Sequence, residues 1–327
     1  MKQINFAFIG SGKALRDCID EVGQYNRSST GYWINIKYVF IDPSKGFFDN
    51  KFPEQLVSEG ILAEVVAELN SENSIQIIKK LDVDYLISVN NHQILQKEII
   101  AAPAKAVLNF HNGTLPQYGG LNACTWAIYN NESMHGVTWH YMSEKIDQGD
   151  IIAQSCFNIS KTETAISLVM KSIVEGVKLF RTLLPDICKD NLVSYKQDLS
   201  KRTYYSSENI PNSGYVDYSW GYDHFMRFKR AFSFYPFKNL LAPPKIKIVN
   251  DTYHLLEYNY IRGNTGNIRL GEIVCDEASL MLLIGMSEGT LEVNKISDHG
   301  FNTLNINELF LKYSSSEEIY LDSIQKN

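Results

Sequence analysis

An asparagine and a histidine two residues apart, Asn109 and His111, stand at the end of the apolar run AVLNF (106–110), and a glycine- and proline-rich loop, NGTLPQYGGLNA, follows at once. Residues two apart in a strand project to the same face, so Val107, Asn109 and His111 line one side, with the two polar groups at its carboxyl end. An amide supplies hydrogen-bond donors and an imidazole exchanges a proton near neutral pH, so the pair could stabilise a developing negative charge and act as a general base. Burying both without partners is costly, and a cleft removes that cost. For an isolated Asn-x-His, a plain structural role, in which both side chains bond the following loop, is the better account.

The surrounding pattern supplies a cleft. Strands are expected at 2–9, 34–41, 85–89, 106–110, 136–141 and 151–157, and helices at 14–22, 53–59, 74–81 (capped by Ser71 or Asn73), 96–101, 123–129 and 162–184. Strands alternating with helices imply an open, mostly parallel α/β sheet, and such sheets bind ligands beyond the carboxyl ends of their strands. After about residue 200 the texture changes: a helix near 222–232 is followed by five strand-like runs, KIKIVN, HLLEYNY, GNIRLGEIVC, SLMLLIGM and TLEVNKI, which suggest a small β-barrel. We therefore expect a Rossmann-like domain over 1–200, a smaller β-rich, OB-like domain over 201–313, and a polar tail over 314–327.

Several function classes are disfavoured. Gly10-Ser11-Gly12-Lys13 fits neither GxGxxG, because position 15 is Leu15, nor a P-loop, because positions 7 and 14 are both alanine; a tight first turn of the sheet explains the glycines better. The seven histidines show no metal-ligand spacing, so we expect no metal, and His135 and His140, which flank an apolar strand, read as structural. Five scattered cysteines form neither a CxxC pair nor a disulfide framework and are expected to be buried free thiols. The net charge of −6 is shared, −4 over 1–200 and −2 over 201–327, so neither half has the basic face of a nucleic-acid binder. With no run near the roughly 18 apolar residues of a membrane span and no signal peptide, the chain reads as cytoplasmic.

What lifts Asn109 and His111 above a structural role is the company they keep. Leu115-Pro116, Tyr118-Gly119-Gly120, the run GVTWH (136–140) and IDQGDII (146–152) follow in order. Together these resemble the formyltransferase family that uses 10-formyltetrahydrofolate, with its NxH, LPxYxG, GVTxH-like and DxGxII segments. The later half resembles the C-terminal domain of methionyl-tRNA formyltransferase and of the enzyme that formylates UDP-4-amino-arabinose. The wording HNGTLPQYGGLNACTWAI and QDLSKRTYY is most similar to formylation domains of nonribosomal peptide synthetases. The resemblance implies a catalytic set of Asn109, His111 and Asp147. It implies a folate site around Val89, Asn90, His92 and Ile94, in the loop after strand 85–89, together with Met142 and Ile146. It places the amine acceptor near Thr114, Leu115 and Tyr118, with Tyr222 and Arg230 as further candidates from the helix beyond residue 221.

The implied chemistry is attack of a primary amine on the formyl carbon, with Asn109 donating to the oxyanion and His111 taking the proton. Asp147 either orients His111 or helps deliver a proton to the departing folate nitrogen. The acceptor stays open between a nucleotide-linked amino sugar and an aminoacyl or peptidyl amine tethered to a carrier. An aminoacyl-tRNA is disfavoured by the acidic second half and by the departure from the SLLPRYRG wording of the tRNA enzyme. A formyltetrahydrofolate hydrolase is disfavoured because the first strand starts at residue 2, and a non-catalytic binder because all three catalytic residues are present. A homodimer is compatible with the sequence.

Overall fold

Alternate residues of the first strand serve opposite faces of a sheet, and that division organises the first half of the chain. In the computed structural model, which describes residues 1–29, 31–43, 51–234, 241–263, 268–276 and 279–314, the elements run β1 (Lys2–Gly10), α1 (Gly12–Ser28), β2 (Tyr32–Ile41), α2 (Phe52–Ser58), β3 (Ala63–Val65), α3 (Glu72–Lys80), β4 (Tyr85–Val89), α4 (Lys97–Ile100), β5 (Ala106–His111), β6 (Gly119–Gly120), α5 (Ala123–Tyr129), β7 (Met134–Tyr141), β8 (Ile151–Asn158), α6 (Ala165–Lys189) and β9 (Tyr204–Tyr205). Seven strands form one sheet in the order β3-β2-β1-β4-β5-β7-β8. The pairings from β3 to β5 are parallel, while β7 and β8 add on antiparallel. Phe6 and Phe8 pack on one face with Leu15 and Cys18 of α1 and Phe180 and Leu184 of α6. Ala7 and Ile9 pack on the other with Ile75 and Ile78 of α3 and Ile99 of α4. Covering both faces is what a central parallel strand requires, and β4 is buried along its whole length.

Gly10 closes β1 at φ +142°, where an added Cβ would sit 1.7 Å from the Val89 carbonyl oxygen. The glycine serves close strand packing, in keeping with the tight-turn reading. Element boundaries moved where tertiary contacts outweigh local pattern. Helix α1 runs on to Ser28 because Tyr25 packs against the core and the Asn26 side chain exchanges hydrogen bonds of 2.8 and 2.9 Å with the backbone of Ile34. Strand β5 includes His111, and β3, β6 and β9 are too short to show a period. The Ser71 cap is present, its hydroxyl accepting from the Ser74 N–H.

The chain divides into two compact units, one of Met1–Ala127, Glu132–Lys161 and Ser167–Ser206, the other of Ile128–Asn131, Thr162–Ile166 and Ser207–Asn327. The second holds α7 (Tyr222–Ala231), β10 (Lys245–Ile248), β11 (Asp251–Arg262), β12 (Ile273–Asp276), β13 (Met281–Met286), β14 (Gly289–Ser297), β15 (Thr303–Leu304) and α8 (Ile306–Ser314). Its antiparallel sheet has the order β10-β11-β14-β13-β12, with β15 on β14, so among the described residues the expected β-rich, barrel-like domain is a half-barrel. Residues 315–327 of the expected tail lie outside the described residues. All five cysteines are free, but only Cys18, Cys124 and Cys188 are buried; Cys156 is exposed and Cys275 half-buried. No helix among the described residues is long and apolar enough to cross a membrane.

His135, on β7, is 2% exposed, with Nε2 2.9 Å from the Asn112 carbonyl oxygen and 3.5 Å from Cys124 Sγ. Burial lowers its pKa from 6.5 to about 4, against the opposing pull of the Asn112 carbonyl. The folded state thus favours the neutral ring, so this contribution to stability is complete above pH 6.5 and is lost as pH falls towards 4. Denaturant unfolding at a series of pH values should show wild type losing about 3 kcal/mol across that window from this group, and His135→Gln should lack that loss.

Candidate active site

Strands β5 and β7 pair antiparallel, with Asn109 opposite His140 and His111 opposite Thr138. That register puts two imidazoles and an amide into one patch of the sheet. The His111 Nε2 lies 2.8 Å from the Tyr118 carbonyl oxygen, which only accepts, so Nε2 carries the proton and Nδ1 is the free basic nitrogen of the neutral ring. His140 is oriented the opposite way. Its Nδ1 donates to the Tyr141 carbonyl at 2.8 Å, leaving Nε2 to accept from the Asn109 amide at 3.1 Å. One N–H of Asn109 remains for another acceptor.

Asp147 completes the cluster from a turn beyond β7. One carboxylate oxygen lies 3.6 Å from His111 Nδ1, and the other 3.6 Å from His140 Nε2. The first also accepts the Gly120 N–H at 2.7 Å. Burial raises the pKa of this carboxyl, but the charges that His111 and His140 carry when protonated, a hydrogen bond from the protonated His140 ring and the Gly120 N–H together outweigh burial and hold it well below the usual carboxylate range. Asp147 is therefore an anion at any pH near neutrality. Its backbone is left-handed, φ +54°, a conformation that non-glycine residues adopt only when their surroundings hold them there.

Segment 197–205 ties the two loops of this site together. Gln197 Nε2 donates to the carbonyls of Asp147 and Gly149 at 2.9 and 2.7 Å, and Arg202 reaches the Ile146 carbonyl at 3.3 Å. A few residues on, the Thr203 hydroxyl accepts the Tyr118 N–H at 2.7 Å, the Thr203 carbonyl accepts Gly119 N–H, and the Tyr205 carbonyl accepts Leu121 N–H. The start of the 113–121 loop is held from below: Thr138 Oγ1 donates to Gly113 and accepts from Leu115 N–H, while Gln154 Nε2 donates to the Leu115 carbonyl.

The remaining expected residues fall into three groups. Leu115 and Tyr118 are buried beside His111, Leu115 preceding a cis bond to Pro116, and Thr114 is half-buried between them and Gly113. In the expected folate loop, Val89 points into the core, so its backbone is the part left to face a ligand, and the Val89 carbonyl already accepts Ser11 N–H. Asn90 (φ +54°) bonds Ser11, the His92 N–H bonds the buried Asp42 carboxylate at 2.8 Å, and Ile94 is 64% exposed. Met142 and Ile146 are half-buried at the two ends of the stretch leading to Asp147. Tyr222 and Arg230 belong to the second unit, where Tyr222 stacks on Tyr260 and Arg230 donates to the Glu163 carbonyl.

Comparison with known proteins identifies the family. Residues 4–182, more than half of the chain, match the formyl transferase family. The chain belongs to that family. This formyltransferase is 29% identical, over 58% of its length and 70% of the relative's, to GDP-perosamine N-formyltransferase of Brucella melitensis. It is 31% identical, over 51% of its length and 53% of the relative's, to methionyl-tRNA formyltransferase of Agathobacter rectalis. Its fold is similar, with a TM-score of 0.63 at 18% identity, to the N-formyltransferase of Helicobacter canadensis solved with folinic acid and dTDP-3-aminofucose, covering 89% of this chain and 98% of that one.

Sequence reasoning missed three contributors to the cluster. His140, read as structural, instead bonds Asn109 and faces Asp147; the signal was its place in GVTWH, since an antiparallel partner to β5 would set it opposite Asn109. Gln197 and Gly120 act through the Asp147 turn and carry no signal of their own. Among the described residues no cluster of three or more His, Cys, Asp or Glu could hold a metal. Because Asp147 is an anion in this site, Asp147→Asn should lose at least about 100-fold in turnover at every pH from about 5 to 9; near wild-type turnover by the variant would mean that a neutral side chain suffices there. Replacing His140 with alanine should cost roughly ten- to a hundredfold in turnover with the fold retained by circular dichroism.

Proposed function

We propose that this formyltransferase moves the formyl group of 10-formyltetrahydrofolate onto the primary amine of a nucleotide-linked amino sugar. The observation that carries the reading is the convergence of Asn109 and His111, from one strand, and Asp147, from a distant turn, on one spot. As the amine nitrogen bonds to the formyl carbon, negative charge grows on the formyl oxygen. The uncommitted N–H of Asn109 is the donor for it, with His140 fixing the amide on its other side. The proton lost by the amine goes to His111 Nδ1, the only ring nitrogen of His111 not already bonded to backbone, and the resulting imidazolium is stabilised by the Asp147 carboxylate. The bond from carbon to the folate nitrogen then breaks, that nitrogen receives the proton, and the formamide and tetrahydrofolate leave.

Support for the donor comes from the 90–95 loop, which has exposed Ile94 for apolar contact and a backbone pinned by Ser11 and Asp42. It also comes from the folinic acid with which the Helicobacter canadensis enzyme was solved. Support for a sugar acceptor comes from the amino-sugar names carried by the relatives. A second reading, formylation of a carrier-tethered aminoacyl group, is favoured by the HNGTLPQYGGLNACTWAI wording. The free thiols support a reducing, cytoplasmic setting.

A panel of amines incubated with 10-formyltetrahydrofolate, read by mass spectrometry for the gain of one formyl group, should give product with a UDP-, GDP- or dTDP-linked amino sugar. Product only from carrier-bound aminoacyl substrates would select the second reading, and tetrahydrofolate formed without any amine would indicate hydrolysis. With the amine so found, Asn109→Ala and His111→Ala should each lower turnover by about 100-fold or more. Near-normal turnover by the His111 variant would dispose of the proposed base.

A further inference from the structure

We propose that Gln197 is a positioning residue for Asp147, holding the left-handed turn that sets the carboxylate between His111 and His140; this rests on the formyl-transfer reading for its kinetic consequence. The turn is pinned on one side by β7, since a Cβ at Gly149 would sit 1.7 Å from the Tyr141 carbonyl oxygen. On the other side both carbonyls that bracket it, those of Asp147 and Gly149, are gathered by the one amide nitrogen of Gln197. Turned over, the amide would press its oxygen against two carbonyl oxygens, so its orientation is forced. The cost of that orientation is visible: among the described residues Gln197 Oε1 is buried without a hydrogen-bond partner, an expense normally avoided. The Gln197 side chain bonds the backbone carbonyl of Asp147. It acts through the backbone of Asp147, whose carboxylate then meets Gly120 N–H at 2.7 Å.

A donor at position 197 is therefore what the turn needs, and two substitutions separate a donor from mere bulk. Gln197→Met keeps length and volume but donates nothing. Gln197→Glu donates only when its carboxyl is protonated, and burial against two carbonyls raises the pH at which that happens. Displacing a catalytic group by about 1 Å can cost on the order of 10²-fold. Gln197→Met should thus lower kcat by at least about tenfold, with KM for donor and acceptor within about twofold. The ratio of kcat for Gln197→Glu to that of wild type should rise as pH is lowered, while the ratio for Gln197→Met stays flat. The other charged groups around the turn, Asp147, His111 and His140 in the cluster, Arg202 on the Ile146 carbonyl, Asp150 beyond the turn, and Lys196 and Asp198 beside Gln197, are shared by wild type and variants and cancel in the ratio.

A second readout needs no turnover. The Gly120 amide resonance in nitrogen–proton correlation spectra reports its bond to Asp147, and it should move in Gln197→Met and return towards the wild-type position in Gln197→Glu at low pH. If wild type proves inert with every amine yet Gly120 responds in this way, the positioning role stands and the formyl-transfer reading falls. Wild-type kcat and an unmoved Gly120 resonance in folded Gln197→Met would overturn the positioning role. Should the methionine variant not fold, a pH-independent kcat ratio and Gly120 shift in Gln197→Glu would overturn it as well.

Discussion

One buried carboxylate organises the candidate site. Asp147 lies between two imidazoles that present different ring nitrogens to it, and each ring is held in its tautomer by a backbone carbonyl, Tyr118 for His111 and Tyr141 for His140. A carboxylate out of water is costly unless paired and hydrogen-bonded. In the proposed reaction that pairing is put to use: the ionised Asp147 stabilises a proton arriving on His111, while His140 accepts one N–H of the Asn109 amide and leaves the other for the oxyanion.

Everything else follows from delivering three side chains to that carboxylate with little freedom. The sheet fixes Asn109, His111 and His140 by cross-strand register, the most rigid means available. The Asp147 turn and the 113–121 loop have no such ladder. They are held by a later segment, in which Gln197 and Arg202 take carbonyls of one loop and Thr203 and Tyr205 take backbone groups of the other, together with Thr138 and Gln154 beneath the start of the 113–121 loop. Function here is carried by loops on a rigid frame, and the frame extends past the sheet into residues that only the fold brings near.

Much of this could be read from the residue order. Period-two and period-3.6 apolar patterns located the main strands and helices of the first unit because both faces of its sheet are covered, which makes strands such as YLISV continuously apolar. The same reasoning put Asn109 and His111 on one face at a strand's end. It could not find β3 or the two-residue pairing of Gly119-Gly120 with Tyr204-Tyr205, since such strands exist only through their partners. Nor could it tell His135 from His140. Both are buried on β7, but one faces the Asn112 carbonyl and the other faces Asp147, a difference set by register and a left-handed turn rather than by residue type. Strand-like runs after residue 200 located the β-rich half-barrel, but not its strand order, which depends on pairing that a count of strands does not contain.

Histidine ring-nitrogen shifts, recorded on protein labelled with nitrogen-15 at a pH where both rings are neutral, address the shared carboxylate most directly. Opposite tautomers are predicted: the proton on Nε2 of His111 and on Nδ1 of His140, with both signals shifting in Asp147→Asn and those of His254 and His299 unchanged. A His111 ring protonated at Nδ1, or rings indifferent to the loss of the carboxylate, would contradict the account.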